Sequence, residues 1–275
     1  MNCRKPLFTA ALVLLVAACA TSPTGRRQLM LVSEEQAISS SRQAYAQEMG
    51  KYQKEGKLVT DPRTLKRVSV ITERLVAQAV KMRPDSAKWQ WSVQVIDDPK
   101  TVNAWCMAGG RMALYTGLIM KVDPTDDELA QVMGHEIAHA LANHTAERMS
   151  TAMAANAGIL AAGLISDNPG QAMAMTAAAA TVAIKLPNSR TAENEADQIG
   201  MDLAARAGYD PRAAVTLWQK MAKVGGNAPP EWLSTHPSDT TRQDRLSALA
   251  PRMMPYYQAG GARPTYPVRM GPAGV

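Results

Sequence analysis

Residues His135-Glu136-Ile137-Ala138-His139 set two histidines four positions apart. In a helix that spacing puts both imidazoles on one face, one turn apart. The neighbours Val132, Met133, Ile137, Ala138, Leu141 and Ala142 make most of the helix apolar, so it is expected in the interior. Buried imidazoles need partners. The chain must therefore wrap a core around this helix and give the converging histidines something to bind, for which a metal ion is the expected ligand. Glu136 projects beside the pair without joining it, where a general base for a metal-activated water belongs.

Two histidines are too few for a catalytic zinc site, which takes three protein ligands and leaves a fourth position open. His144 lies five residues past His139, about 140° around the helix, and is read as structural. Downstream, Glu193-Asn194-Glu195-Ala196-Asp197 holds an acidic pair spaced i,i+4. Glu193 and Asp197 share a helix face and Glu195 points away from it. Glu193 is the expected third ligand. Asp197 is expected to accept a hydrogen bond from the distal N–H of a ligating histidine, fixing its tautomer. His236, in Ser234-Thr235-His236-Pro237, has three readings: a donor to the oxyanion of a tetrahedral intermediate, a displaceable fourth ligand, or a surface histidine.

The rest of the chain supplies the scaffold. Ser33 with Gln36 reads as a capping box for a helix to about Lys54, and Thr125 with Glu128 as another opening the metal helix. Asp61-Pro62 opens a helix with Leu65, Val68, Ile71, Leu75 and Val76 on one face. Trp89, Trp91, Val93 and Val95 alternate with polar residues, as in a strand, and a second strand near 102–106 is expected to turn at Gly109-Gly110 and return to Tyr115. Further helices are expected over 191–206 and after Asp210-Pro211. Residues 152–184 are rich in Ala, Gly and Met. They are read as two close-packed helices around Asp167-Asn168-Pro169-Gly170, too short for a membrane span, serving as core or as a cover for the cleft. The expected class is α+β, mostly helical, with a small antiparallel or mixed sheet beside the H-E-x-x-H helix.

The N-terminus reads as an address. Arg4 and Lys5 precede an apolar stretch over 7–18 ending in Val16-Ala17-Ala18-Cys19, which resembles a bacterial lipobox. Cleavage before Cys19 and acylation of it are expected, with Ala20 favouring the outer membrane. The organisation is then a signal over 1–18, a lipidated polar linker over 19–32, a metallopeptidase domain over 33–252 and a Pro/Gly-rich tail over 253–275. With Cys3 removed and Cys19 lipidated, Cys106 has no disulfide partner, so neither a disulfide scaffold nor a thiolate metal site is expected. The net charge of +6 loses two with Arg4 and Lys5. No Lys/Arg stripe with interleaved aromatics appears, so nucleic acid is not an expected partner.

Five pieces, in order, resemble one family. They are Thr24-Gly25-Arg26-Arg27-Gln28-Leu29, Asn103-Ala104 before Gly109-Gly110, HEIAH, Ser189-Arg190 leading into ENEAD, and Thr235-His236-Pro237 with Arg242. The chain is similar over about 24–250 to the zinc metalloendopeptidases of the CAAX-prenyl endopeptidase and HtpX. It is closer to the soluble envelope-lipoprotein branch of LoiP and BepA, since it lacks the long membrane spans of the others. The resemblance implies a gluzincin fold, one zinc per chain and Glu193 as third ligand. It also implies that the strand at Asn103 and Ala104 aligns extended substrate by β-pairing. The expected partners are protein or peptide substrates, the membrane through Cys19, and outer-membrane assembly proteins. The expected function is hydrolysis of misfolded or misassembled envelope proteins on the periplasmic side. A zinc-stabilised chaperone or assembly factor with little proteolysis is the alternative.

Overall fold

The computed structural model describes residues 19–165, 168, 189–224, 231–236 and 241–270. The signal over 1–18 and most of 166–188, and with them much of the 152–184 reading, lie outside the described residues. Contacts divide the chain into two units: Met1–Ala37 with Asn143–Leu186, and Ile38–Ala142 with Pro187–Val275.

In the first unit, β1 (Cys19–Thr21) pairs antiparallel with β2 (Arg27–Leu29), so the expected linker folds as a hairpin. Gly25, at φ +86, takes a conformation that other residues adopt only with strain. Arg26 closes a two-pronged ion pair on Glu147, both contacts 2.6 Å, and Gln28 donates to the same carboxylate at 2.9 Å. This ties the hairpin to α5 (His144–Ile165). The capping box at Ser33 and Gln36 is present in both directions and opens α1 (Glu34–Lys54).

The second unit holds a four-stranded mixed sheet. Its strands are β3 (Ser92–Ile96), β4 (Ala104–Met107), β5 (Arg111–Tyr115) and β6 (Arg269–Met270), in the order β4-β5-β3-β6. β4 and β5 form the expected antiparallel pair around Gly109-Gly110, while β3 runs parallel to both β5 and β6. A Cβ on Gly110 would stand 2.5 Å from the Trp91 ring, so only glycine fits that corner. The alternating residues from Ser92 on form β3 as their periodicity predicts, and all five are buried. Val93 and Val95 join the main core, and Ile96 packs with Tyr45 and Met49 of α1 on the other side. A strand with neighbours on both edges and packing on both faces has no solvated side.

Helix α2 (Pro62–Met82) starts at the Asp61 cap and buries Val68, Ile71, Leu75 and Val76 as its spacing predicts. After the short α3 (Thr116–Val122) comes α4 (Asp126–Leu141), the H-E-x-x-H helix, buried at every residue from Glu128 to Leu141. Around it lie α6 (Arg190–Arg206), α7 (Ala213–Val224), the single turn α8 (Glu231–Thr235) and α9 (Arg242–Gln258). The Pro/Gly-rich tail expected over 253–275 begins inside a helix. α9 continues through Pro251 and Pro255, and Arg269–Met270 add to the sheet. Each proline removes a helix hydrogen bond, and packing of Leu246, Leu249, Ala250 and Met253 against the core offsets the loss.

Glu128 carries more than its cap. Its carboxylate accepts from the Thr125 N–H at 2.8 Å, the Thr216 hydroxyl at 2.7 Å and the Lys220 ammonium at 2.7 Å. Burial would raise its pKa, but the Lys220 charge and these donors hold it below 4.5. A depressed carboxyl stabilises the fold above its unfolded pKa and loses that effect as pH falls through the folded value. Glu128→Gln is therefore expected to destabilise by about 1–2 kcal/mol at pH 7, with the gap closing at pH 3. Urea unfolding of both proteins at the two pH values checks this; an equal gap at both would refute the ionic origin.

Candidate metal centre

The site lies within the second unit, where α4 crosses α6. A Cβ on Gly134 would meet the Gly200 carbonyl oxygen at 2.8 Å, and one on Gly200 would meet the His135 backbone nitrogen at 2.7 Å. Only glycine at both positions allows this approach. It brings the histidine pair of α4 against the acidic pair of α6. His135 Nε2 lies 3.3 Å from Glu193 Oε2, and His139 Nε2 lies 3.4 Å from Glu193 Oε1. The two imidazole Nε2 atoms are 3.1 Å apart.

His236 completes the cluster from the end of α8. It is 5% exposed, which removes the surface reading. Its Nδ1 is 3.0 Å from Glu193 Oε1 and 3.2 Å from His135 Nε2. One ligand atom from each of His135, His139, Glu193 and His236 lies within 4.8 Å of the others, and all four residues are buried. Three imidazole nitrogens and one carboxylate that converge on one point suit a divalent transition metal, zinc among them. The donor set therefore fits the ion that the motifs imply.

The surroundings favour a cation at this point. Asp197 Oδ1 is 3.0 Å from His135 Nδ1, so an Nδ1–H donated to Asp197 leaves the Nε2 lone pair facing the cluster. Burial alone would lower the His135 pKa. Hydrogen bonds and charge from Asp197 and Glu193 override it and raise it to about 9. Burial would likewise raise the Glu193 carboxyl, but the imidazoles of His135, His139 and His236 hold it far below the usual carboxylate range.

Sequence reasoning gave no role to two residues that the fold brings in. Arg242, fully buried, donates to Asp197 through Nε at 2.8 Å and Nη2 at 2.6 Å, and to Glu193 through Nη1 at 3.2 Å. Its Cζ stands 3.9 Å over the Trp218 ring. This fork keeps Asp197 ionised against the cost of burial. Trp232 donates its indole N–H to Glu136 Oε1 at 2.8 Å. Nothing in the local sequence around Arg242 or Trp232 signals either contact, although Arg242 belongs to the motif set. His144 belongs to the first unit and is absent from the cluster. Glu195 is buried yet is not part of the cluster. Asn103 donates through Nδ2 to Glu231 Oε1 at 3.1 Å, and its Oδ1 accepts from the Ala104 N–H at 2.9 Å.

Residues 62–250, more than two thirds of the chain, match the family described as Peptidase family M48. This chain belongs to that family. The M48 relatives include the mitochondrial metalloendopeptidase OMA1 of Arabidopsis thaliana, 38% identical over 159 residues, covering 57% of this chain and 31% of the relative. The OMA1 metalloendopeptidase of Homo sapiens is 33% identical over 245 residues, 84% of this chain and 45% of the relative. The β-barrel assembly-enhancing protease of Yersinia pestis is 30% identical over 209 residues, 72% and 41% respectively. The chain spans less than half the length of each of these M48 proteins.

Removing Arg242 leaves the largely buried Asp197 charge with only His135 beside it. Arg242→Ala is expected to cost about 3–5 kcal/mol and to lower metal content per folded chain, with Arg242→Lys only partly restoring either, since an ammonium cannot reproduce the fork. Elemental analysis and thermal unfolding measure both. Full metal content and wild-type stability in Arg242→Ala would remove this role.

Proposed function

We propose that the chain is a zinc-dependent endopeptidase that hydrolyses peptide bonds in misfolded or misassembled envelope proteins. In this reading a metallopeptidase domain over 33–252 is held to the periplasmic face of the outer membrane by lipid on Cys19. The observation that carries the peptidase reading is Glu136. A purely structural metal site has no use for a buried carboxylate beside its first ligand, whereas a hydrolytic site requires one.

His135, His139 and Glu193 would hold the ion, with Asp197 and Arg242 fixing their orientation. Zinc held there supplies Lewis acidity, drawing electron density from the scissile carbonyl and from the attacking water. Glu136 accepts the water's proton on a carboxylate oxygen and passes it to the leaving amine. In the resting arrangement its Oε1 takes the Trp232 indole N–H. β4 stands at the edge of the sheet; there the outward carbonyl of Ala104 would pair with an extended peptide, while Asn103, bonded inward to Tyr115, would hold the Ala104 N–H in place.

The contacts of His236 with Glu193 and His135 support the displaceable-ligand reading over an oxyanion donor, which would have to stand clear of the ligand set. A resting enzyme with this position taken opens only when substrate or a partner binds the open form better. The same occupancy lends weight to the alternative, a zinc-stabilised assembly factor with little proteolysis. The envelope assignment draws on the lipobox at Cys19 and on the relative named as a β-barrel assembly-enhancing protease. Among the described residues no helix is long and apolar enough to cross a membrane, so attachment would rest on the lipid.

Glu136→Gln is expected to keep zinc and lose at least about 100-fold in casein or peptide cleavage. Zinc binding with no cleavage by the wild type, even with His236→Ala, would favour the assembly factor. For the anchor, Cys19→Ser is expected to abolish lipidation and move the protein from the membrane to the soluble fraction. Unchanged mass and fractionation would rule the anchor out.

A further inference from the structure

The antiparallel ladder between β4 and β5 fixes which way each amide of β4 points. Asn103 turns its carbonyl inward to the Tyr115 N–H at 3.1 Å, and Trp105 pairs with Ala113. Alternate residues face opposite ways, so Ala104 and Cys106 direct their amide groups to the edge, where Asn103 Oδ1 already accepts the Ala104 N–H, and Val102, just before the strand, follows the same alternation. The outward carbonyl of Val102 is taken. It accepts the backbone N–H of Trp232 at 3.1 Å. Next to that bond, the Asn103 side chain holds Glu231. A residue of α8 thus takes the backbone carbonyl just before the edge strand.

The Trp232 side chain also behaves as a bound side chain. It is 1% exposed. It enters a slot walled by Gln131, Met201, Ala214, Leu217, Trp218 and Leu246, where a cavity of only about 20 Å³ remains. Its ring lies 5.1 Å from that of Trp218 and 5.0 Å from that of His236. Its N–H ends on Glu136. One residue therefore takes the carbonyl before the edge strand, a mostly apolar slot and the carboxylate beside the metal ligands.

We infer that this slot is the pocket for the substrate residue next to the scissile bond, that Trp232 is its internal occupant, and that the preferred substrate residue there is large and apolar, aromatic above all. The inference rests on the endopeptidase reading of the same site. Most of the slot is lined by Met201, Ala214, Leu217, Trp218 and Leu246, with Gln131, His135 and Asp197 as its polar members. A small or charged side chain would leave it empty or bury an unpaired charge. A bulky apolar one recovers the contacts that Trp232 gives up on leaving. Being attached to the chain, Trp232 competes at high effective concentration, so cleavage of free peptides is slow while it stays in place. Trp232 is a specificity and gating residue, distinct from the metal ligands.

The test uses the zinc-loaded full chain, its Trp232→Ala and Trp232→Phe variants, and N-acetyl-L-tryptophanamide as probe. Trp232→Ala is expected to bind the probe saturably by calorimetry where the wild type does not, and to cleave peptides with higher kcat/KM while zinc content stays constant. Fragment mass spectrometry on a peptide library is expected to place wild-type cuts beside large apolar residues at least about tenfold more often than beside alanine. Trp232→Phe, which keeps a ring but lacks the N–H to Glu136, is expected to stay folded and cleave faster than the wild type. No probe binding by a folded Trp232→Ala overturns the inference, as does wild-type cleavage indifferent to side-chain size. The second criterion holds even if Trp232→Ala does not fold. Probe binding by Trp232→Ala with no cleavage by any of the proteins would leave the pocket standing and remove the endopeptidase reading instead.

Discussion

The contact on which the site depends is the crossing of α4 and α6 at Gly134 and Gly200. With a Cβ at either position closer than 3 Å to the opposite backbone, any other residue would force the helices apart. Four groups depend on that approach. His135 is the next residue after Gly134, His139 follows one turn later, and Asp197 and Glu193 lie about one and two turns before Gly200 on α6. A small outward shift would break the 3.0 Å contact of His135 with Asp197 and widen the gaps to Glu193. Interiors are close-packed and accommodate such shifts poorly.

That crossing buries charge, and the structure compensates for it locally. Two carboxylates, the buried Glu193 and the largely buried Asp197, stand among three imidazoles. Arg242 answers both from α9, and its other face rests on Trp218. Metal binding would be coupled to folding, because the ligands converge only in the folded chain. The helix that supplies Arg242 is also the one that runs through Pro251 and Pro255. The helix registers against the core although two of its residues cannot donate to it.

What was legible in the sequence was local. The i,i+4 spacing of His135 and His139, and of Glu193 and Asp197, gave the shared faces. Ser33 with Gln36, Asp61 with Pro62 and Thr125 with Glu128 gave the helix starts, since caps act over three residues. Gly109-Gly110 gave the hairpin. What was not legible depended on partners far along the chain. The burial of Ser92 and Gln94 depends on α1, which packs on their side of the sheet. Residues 269–270 carry no strand signal and pair because β3 offers an open edge. His236 gave three readings from its own neighbours, and its burial against Glu193 removes the surface one. Trp232 on Glu136 joins positions 96 residues apart, and no periodicity encodes such a pair.

The central claim is that one divalent metal is held by the crossing of α4 and α6. Anomalous diffraction at the zinc edge from crystals of the zinc-loaded chain tests it most directly. One peak per chain is expected, bounded by His135 Nε2, His139 Nε2 and the Glu193 carboxylate, with Asp197 bonded to His135 and not to the ion. A peak held by Asp197 or Glu195 in place of Glu193, or located at His144, would contradict it.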